Sequence, residues 1–462
     1  MLVSSIERIG SVDPLALLER LVERALVDDR IATLIEQGRA YWARPRDAFA
    51  IAAIGAATTL NPAGADRFAT VDESWHSFIR DAVIQGADPV RGTGPLLIGG
   101  FSFDVDGPRS AAWSGFGSTS LILPRVVVTS VDGDSFLTIN RAENEAADPD
   151  LIASIRREAG ISSSAFDDTP AHSRLGIEEL RSADDWKTTV SDAVKAIRAG
   201  EMEKVVLARG EIARADAGYD VFATLRHLKS MHRDSFVFGY WRDDRAFVAA
   251  SPERLARVDG RDVEVSSLAG TIPRGRNDRE DDINARALAT SAKDLKEHAA
   301  VRDVLNAELA HECETVNAPE TPSLLTLPHV HHLHTRITGR LREGRTLLDV
   351  VARLHPTPAV GGSPREAALG FIQANEHLDR GWYASPVGWI DSSGGEFAVA
   401  LRSALIHGSD ATLFAGCGIV ADSQPAQEYA ESVLKLQLME SALAVSVASD
   451  REELTSVAER AH

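Results

Sequence analysis

The chain has 462 residues, of which 44% are hydrophobic and 25% are charged, a globular composition long enough for one very large domain or two to three ordinary ones. Its formal net charge of −19 argues against nucleic-acid or acidic membrane surfaces as partners, and an anionic substrate would need a local cationic pocket. Two cysteines, Cys313 and Cys417, cannot build a disulfide framework. With neither a signal-peptide pattern nor an apolar run of about 20 residues, the sequence predicts a soluble cytoplasmic protein.

The first part of the chain is predicted to be a helical region followed by strands. Leucines recur in a charged setting through residues 1–40, which favours helix. Asp132-Gly133 is a two-residue hairpin signal. Consecutive strands without helices between them favour antiparallel pairing, and hence an α+β fold built on a large antiparallel sheet. The predicted strands are 49–56, 95–103, 120–131 and 135–140.

Residues 141–174 are acidic, small and turn-rich, and are the best linker candidate. We set no firm domain boundary there. The chain is interpreted as one large domain with an N-terminal part, residues 1–175, and a second part, residues 176–447. The charged segment 448–462 is expected to be a flexible tail.

The second part shows sharper patterning. Trp186, Val190, Val194 and Ile197 share one helical face, most simply a core face, and Gly200 ends that helix. The remaining predictions are strands at 205–207, 236–241, 246–250 and 330–337, a hairpin at Asp259-Gly260, a helix over 291–312 and a meander through 389–390, 397–406 and 411–420.

Two predicted helices each present a pair of carboxylates three residues apart. Asp294 and Glu297 form one pair, and Glu428 and Glu431 form the other, with Lys435 on the same face. Together the two pairs could hold one hard cation such as Mg²⁺ through oxygen ligands. Taken alone, two solvated helix faces with one Glu–Lys pair explain the pattern more simply.

Several other polar residues stand in apolar surroundings. Lys204 begins a strand, where it is either an edge lysine or a partly desolvated base. Glu253, at a strand break, is either a turn glutamate or a carboxyl kept protonated as an acid. Arg402, within an apolar strand, needs an anionic partner. Gly270 and Thr271 end a strand, where backbone N–H groups could receive a carboxylate.

The histidine-rich run His329, His331, His332 and His334 is the one cluster that points to zinc. No cysteine or acidic partner stands nearby, so the run is better interpreted as sheet positions.

In combination these stretches resemble the chorismate-utilising enzymes, which comprise isochorismate, salicylate, anthranilate and aminodeoxychorismate synthases. The resemblance covers about residues 185–445 and is weak in the N-terminal half, mainly at GGFSFD. It implies one α+β body with two stacked antiparallel sheets and helices packed outside, a deep site for chorismate with Mg²⁺, and a monomer. The matching stretches are EKVVLAR, ASPERL, LAGT, KDLKEH, HPTPAVGG, RGWYASPVGW, ALRSALI and GCGIVADSQPAQEYAESVLK.

The resemblance also implies roles for single residues. Glu297 and Glu431 would hold Mg²⁺, with Asp294 and Glu428 in support. The residues implied to bind the substrate are Gly270, Thr271, Ala359, Tyr383, Arg402, Gly416 and Lys435.

The same resemblance makes Lys204 the base that activates water and Glu253 the acid that protonates the departing hydroxyl. For these roles Lys204 must be neutral and Glu253 protonated at rest, and burial favours both states. Anthranilate synthases carry glutamine where Lys204 stands, and aminodeoxychorismate synthases carry a nucleophilic lysine where Ala269 stands. Salicylate-forming relatives carry threonine where Ala359 stands. Isochorismate synthases resemble this chain at each point.

The expected activity is therefore the Mg²⁺-dependent isomerisation of chorismate to isochorismate, feeding menaquinone or siderophore biosynthesis. Water adds at ring C2 while the C4 hydroxyl leaves. Two alternatives stay open. One is a salicylate synthase, which goes on to eliminate pyruvate, and the other is a chorismate-binding protein that has lost catalysis.

Overall fold

Two large β-sheets are the framework of the computed structural model, which describes residues 1–161, 174–327 and 330–447. The strands are β1 (Leu2–Ile9), β2 (Arg39–Arg44), β3 (Phe49–Ile54), β4 (Thr58–Leu60), β5 (Val83–Gly86), β6 (Leu96–Phe101), β7 (Thr119–Leu123), β8 (Val126–Val131), β9 (Asp134–Ala142), β10 (Gly176–Glu179), β11 (Lys204–Arg214), β12 (Phe236–Arg242), β13 (Arg245–Ser251), β14 (Arg254–Asp259), β15 (Asp262–Pro273), β16 (Cys313–Asn317), β17 (Ser323–Thr326), β18 (Val330–Leu341), β19 (Gly362–Ser363), β20 (Pro386–Asp391), β21 (Gly394–Val399), β22 (Ser403–His407) and β23 (Asp410–Ile419).

Helices join and cover these strands. They are α1 (Pro14–Arg24), α2 (Asp29–Glu36), α3 (Arg67–Arg80), α4 (Pro149–Ala159), α5 (Ala183–Arg198), α6 (Val221–Met231), α7 (Asp278–Thr290), α8 (Ala292–Glu312), α9 (Leu347–Leu354), α10 (Arg365–Asn375) and α11 (Pro425–Ala444). None of the helices in the described part of the chain is long and apolar enough to cross a membrane.

The larger sheet has 13 strands in the order β10-β11-β23-β22-β13-β12-β2-β3-β8-β9-β1-β5, with β19 on β11. The smaller has ten, in the order β16-β18-β15-β14-β21-β20-β6-β7-β4, with β17 on β18. Among the described strands only β1 and β5 pair in parallel. The predicted α+β fold with large antiparallel sheets is therefore confirmed.

The larger sheet is buried on both faces. In β3, Ile51 and Ala53 belong to the main core cluster, whereas Ala52 and Ile54 belong to a second cluster that includes residues of α1, α6 and α11. The main cluster lies between the sheets, where the Tyr240 hydroxyl of β12 donates to a β20 carbonyl at 3.2 Å. This two-sided burial explains why β3 is a continuous apolar run rather than an alternating one.

Five direct strand connections carry the chain from one sheet to the other, and three of them bear on the sequence predictions. These three are β7 to β8, β13 to β14 and β21 to β22. Pro124 and Arg125 stand at the first crossing, so the single strand predicted over 120–131 is wrong. The second and third crossings contain residues that the sequence analysis singled out for chemistry.

Two other predictions in the first part are corrected. Residues 1–40 are not helical throughout, because β1 precedes α1 and α2, with Val3 and Ile6 buried at its inner positions. The proposed linker contains the end of β9 and all of α4, which Asp148 caps. Residues 162–173 of that segment and the predicted tail 448–462 lie outside the described residues.

The hairpins at Asp132-Gly133 and Asp259-Gly260 are confirmed by the pairing of their strands. The core face of α5 is confirmed as well, since Trp186 and Val190 are fully buried. Helix α7 was missed because it buries only Leu288 and so lacks an apolar period.

Candidate active site

One cavity of about 280 Å³ is lined by every residue that the sequence analysis assigned to catalysis, metal or substrate. It lies beside the second and third crossings between the sheets, with α8 and α11 contributing to its wall. The predicted residues brought together there are Lys204, Glu253, Gly270, Thr271, Asp294, Glu297, Ala359, Tyr383, Arg402, Gly416, Glu428, Glu431 and Lys435.

Lys204 is the first residue of β11, and its side chain is 12% exposed. Its Nζ donates to Oε1 of Glu297 at 2.9 Å. Burial works to raise the pKa of Glu297, but the charge and hydrogen bond of Lys204 lower it overall. The ion pair therefore joins the predicted base directly to one of the predicted metal ligands.

Glu253 occupies the crossing from β13 to β14 and is 4% exposed. Burial raises the pKa of its carboxyl to about 8, against an opposing effect from Lys204. Its backbone is held on both sides, because its N–H donates to Oγ of Ser251 and its carbonyl accepts from Val399 N–H at 3.0 Å. Glu253 is therefore a positioned carboxylic acid that stays protonated at neutral pH.

The acidic pairs of α8 and α11 face the same cavity. Oxygens of Glu428 and Glu431 and the Cys417 sulfur lie within 4.8 Å of one another. Burial raises the pKa of the Cys417 thiol to about 12, so this sulfur remains protonated. The usable donors are then carboxylate oxygens, which suit Mg²⁺ better than a thiophilic metal.

Lys435 is already engaged with neighbours in this acidic part of the cavity. Its Nζ donates to Oε1 of Glu431 at 2.7 Å and to the Gly416 carbonyl at 2.8 Å. The lysine thus ties α11 to β23 and orients one of the two predicted metal ligands. A carboxylate paired with an ammonium can exchange that partner for a bound cation, which fits the donor set to Mg²⁺.

Arg402 stands at the crossing from β21 to β22, not inside a strand as predicted, and it has a φ of 50°. This turn aims the guanidinium into the cavity. Burial lowers the pKa of Arg402 to about 10, and no carboxylate of the described chain pairs with it. Its Nη2 instead contacts Nε2 of His332 at 3.2 Å. A half-buried cation without a carboxylate partner is a site for an anionic ligand.

Gly270 lies at a bulge within β15, not at a strand end as predicted. The register with β18 shifts between Ala269 and Thr271. Gly270 has a φ of 79°, and a Cβ on it would stand 3.2 Å from the Cβ of Asp294. The bulge therefore brings β15 close to α8 and turns Thr271 into the cavity.

Gly418 is a cavity residue that the sequence analysis missed. A Cβ there would lie 2.7 Å from Cε of Lys204, so glycine leaves room for the lysine side chain. The wall continues with Ala359 and Tyr383, whose ring stacks on Phe414 at 5.3 Å. The alternating glycines of the GCGIV run were a usable signal, since both point to the face that Lys204 occupies.

Among the described residues, the histidines of this run do not form a common metal site. In β18, His331 contacts Asp281 and Thr326, and His334 contacts Ser266. The sheet positions predicted for these residues are confirmed, while His329 lies outside the described residues. His332 is different because it lines the cavity, a role that the sequence analysis did not assign.

Comparison with known proteins identifies the family of the chain. The family described as "Chorismate binding enzyme" matches residues 1–444. The "Salicylate biosynthesis isochorismate synthase" of Pseudomonas aeruginosa is 39% identical over 418 residues, covering 87% of this chain and 84% of that protein. "Isochorismate synthase MenF" of Bacillus subtilis is 36% identical over 451 residues, covering 96% and 93%.

Among solved structures, a putative 2,3-dihydroxybenzoate-specific isochorismate synthase, DhbC, from Bacillus anthracis superposes with a TM-score of 0.72. It is 26% identical, and the match covers 93% of this chain and 100% of that one. The whole-length family match and the two relatives above 30% identity lead to one conclusion: this chain belongs to the chorismate binding enzymes.

Proposed function

We propose that this enzyme is an isochorismate synthase, an isomerase that converts chorismate to isochorismate with Mg²⁺ as cofactor. The observation that carries the proposal is that one cavity contains both Lys204 and a protonated Glu253. Addition of water at one carbon and loss of hydroxide from another needs one base and one acid, and the cavity holds both. The relatives named isochorismate synthase support the same activity.

The chemistry assigned to the residues balances without any further reactant. Lys204 in its amine form takes a proton from water while the new C2–O bond forms. The ring π electrons shift, the C4–O bond breaks, and Glu253 gives its proton to the departing hydroxyl. One water is consumed and one released, so product and substrate have the same mass. Lys204 and Glu253 then exchange protons with solvent to return to their starting states.

Substrate charge explains the remaining side chains. Chorismate carries two carboxylates, and the chain as a whole is strongly anionic. Arg402 offers a cation without a carboxylate partner, and the bulge at Gly270 and Thr271 offers polar donors. Glu297 and Glu431, with Asp294 and Glu428 beside them, would hold Mg²⁺. When bound there, Mg²⁺ would neutralise substrate carboxylate charge.

Salicylate synthase is the nearest alternative activity. Ala359 stands where salicylate-forming relatives carry threonine, which favours a reaction that stops at isochorismate. An inactive binding protein is disfavoured for a physical reason. Retaining Lys204, Glu253 and four further carboxylates around one cavity costs stability unless those groups serve a ligand or a reaction.

The test is incubation of purified protein with chorismate and Mg²⁺, without ammonia or glutamine, followed by chromatography with mass detection. A product of unchanged mass and shifted retention is expected. Salicylate with pyruvate would instead establish the alternative activity, and turnover that depends on ammonia would refute the role of Lys204.

Variants make the assay specific for the proposed base. Lys204→Ala should abolish turnover while chorismate still binds. Lys195→Ala is the matched control, because Lys195 lies on the exposed face of α5, is not part of the cavity lining, and pairs with Asp192 at 2.8 Å. Equal loss in both variants would contradict the assignment.

A further inference from the structure

The imidazole of His332 links two of the proposed substrate-binding residues. Its Nε2 lies 3.2 Å from Nη2 of Arg402, and its Nδ1 lies 2.8 Å from Oγ1 of Thr271. His332 is 7% exposed and pairs directly with Thr271 in the register of β15 and β18. All three side chains line the active-site cavity.

The chemistry of the partners determines where the imidazole carries its proton. A guanidinium nitrogen can only donate, so Nε2 must accept from Arg402 and bear no hydrogen. The imidazole is neutral, because burial and the positive charge of Arg402 lower the pKa of His332 to about 3. The single ring proton is then on Nδ1, which faces Oγ1 of Thr271.

The tautomer of His332 also sets the direction of its hydrogen bond with Thr271. With Nδ1 as donor, Oγ1 of Thr271 accepts, and its own hydroxyl hydrogen cannot point back at the ring. That hydrogen remains available to the cavity, on the same side as the Arg402 guanidinium. A protonated or oppositely protonated imidazole would not allow this arrangement, because Nε2–H would face the Arg402 donor.

We propose that His332 is a positioning residue. The contact with Arg402 sets the tautomer of His332, and that tautomer makes the Thr271 hydroxyl donate its hydrogen into the cavity. Thr271 and Arg402 then bind one carboxylate of the substrate together. The inference rests on the proposed function for the identity of that carboxylate. The tautomer itself does not depend on which reaction the enzyme performs.

The tautomer is tested directly by long-range ¹H–¹⁵N NMR on the full chain labelled with ¹⁵N-histidine. The His332 signal is assigned as the one missing in His332→Gln, or, if that variant fails to fold, as the one displaced in Thr271→Val. We expect a neutral ring with a hydrogen on Nδ1 and a bare Nε2 at pH 7. A hydrogen on Nε2, or an imidazolium, would overturn the proposal.

Kinetics test the consequence for the substrate. Thr271→Val, which removes only the hydroxyl, should raise KM for chorismate about tenfold or more and change kcat far less. His332→Asn keeps a donor near the Nδ1 position and should stay closer to wild type in KM than His332→Phe, which has none. A purely structural role would not separate Asn from Phe in this way once both are shown to fold by thermal melting.

A double variant distinguishes action through Thr271 from an independent effect. In a Thr271→Val background, His332→Phe should change KM by less than about threefold, since the hydroxyl that it positions is already gone. If the two changes in KM multiply in the double variant, His332 does not act through Thr271, and the proposal is refuted. If wild type shows no turnover of chorismate at all, the proposed function fails, whereas the NMR result still decides the tautomer.

Discussion

Two glutamates in the middle of the protein are equally buried and yet differ in protonation. Glu396 of β21 is fully buried and accepts hydrogen bonds from Arg254 and Arg91, each at 2.7 Å. Burial works to raise the pKa of Glu396, but these arginines lower it overall. Glu253 adjoins Arg254 in sequence, pairs with no arginine of the described residues, and has a pKa raised by burial to about 8.

The difference shows what each buried carboxyl contributes. The negative charge of Glu396 is compensated by two arginine charges, an arrangement that stabilises the pairing of β14 with β21 once it is complete. Glu253 is compensated only by keeping its proton, which leaves an acid able to react at neutral pH. At the start of β14, Arg254 thus serves the fold through Glu396, whereas the adjacent Glu253 serves the chemistry.

The largest expected effect comes from removing the reactive proton. Glu253→Gln should lower kcat by about 10²–10⁴-fold, because the departing hydroxyl loses its acid. The free energy of unfolding at pH 7 should stay the same or rise, since a neutral amide replaces a buried carboxyl that must hold its proton in the folded protein. Steady-state kinetics and urea denaturation of one preparation measure both quantities.

Chorismate binding by the Glu253→Gln variant, measured by calorimetry, serves as the control. Near-normal turnover would contradict the acid role. A large loss of stability would contradict the statement that Glu253 is neutral in the folded protein.

The reverse pattern is expected at the paired glutamate. Glu396→Gln should lower the free energy of unfolding by about 3–5 kcal/mol, because Arg254 and Arg91 lose their buried counter-charge. Enzyme that remains folded should keep a kcat within a few-fold of wild type. Urea denaturation followed by tryptophan fluorescence measures the first quantity.

An unchanged free energy of unfolding in Glu396→Gln would break the comparison, since it would mean that the arginines find other partners such as Glu264, which also contacts Arg254. Glu264→Gln is the matched variant that separates these two cases.

The residue motifs around the cavity could be predicted from the sequence because each is local. Lys204, Glu253 and the acidic pairs of α8 and α11 stand within short runs whose spacing is visible in the chain. The network of Glu396 was not visible, because Arg91 and Arg254 are 305 and 142 residues away from it. Apolar strand patterns also do not reveal which sheet a strand joins.

The crossings between the sheets were missed for the same reason. A continuous apolar run such as FAVALRSALI has the pattern of one strand, although Arg402 breaks it in the left-handed region. The cavity role of His332 was not predicted, because its neighbours His331 and His334 in the same run have structural contacts. In each case the deciding partner comes from a distant part of the chain, and one sequence carries no record of that contact.

A third carboxylate sharpens the comparison, because the side chain of Glu431 is 45% exposed and pairs with a lysine instead of two arginines. Its partner, Lys435, lines the same cavity. Glu431→Gln should weaken Mg²⁺ activation about tenfold or more and lower chorismate affinity with it. Titration of activity with Mg²⁺, and of binding by calorimetry, measures both.

Glu440→Gln is a suitable control for Glu431→Gln, since Glu440 lies on the same helix outside the cavity, near Glu211. A wild-type Mg²⁺ titration curve in Glu431→Gln would refute the ligand assignment, and an equal change in the control would show a general effect on α11.

The smallest expected effect is the opposite pH dependence of the two buried glutamates. Glu253 has a folded pKa of about 8, above its ordinary value of 4.5, so the folded state holds a proton that the unfolded state releases. Its contribution to stability is full below pH 4.5 and is lost as the pH rises to 8, with a slope of at most about 1.4 kcal/mol per pH unit. Glu396, with a lowered pKa, contributes above 4.5 and loses that contribution as the pH falls.

Urea denaturation between pH 5 and 8 separates the two effects, because only the Glu253 contribution changes in that window. The difference in unfolding free energy between Glu253→Gln and wild type should increase with pH, and kcat/KM of wild type should fall above pH 8 as the acid ionises. A difference that stays constant across the window would place the folded pKa of Glu253 near its ordinary value. In that case the carboxyl would be charged at pH 7, and its proton could not be the one that leaves with the C4 hydroxyl.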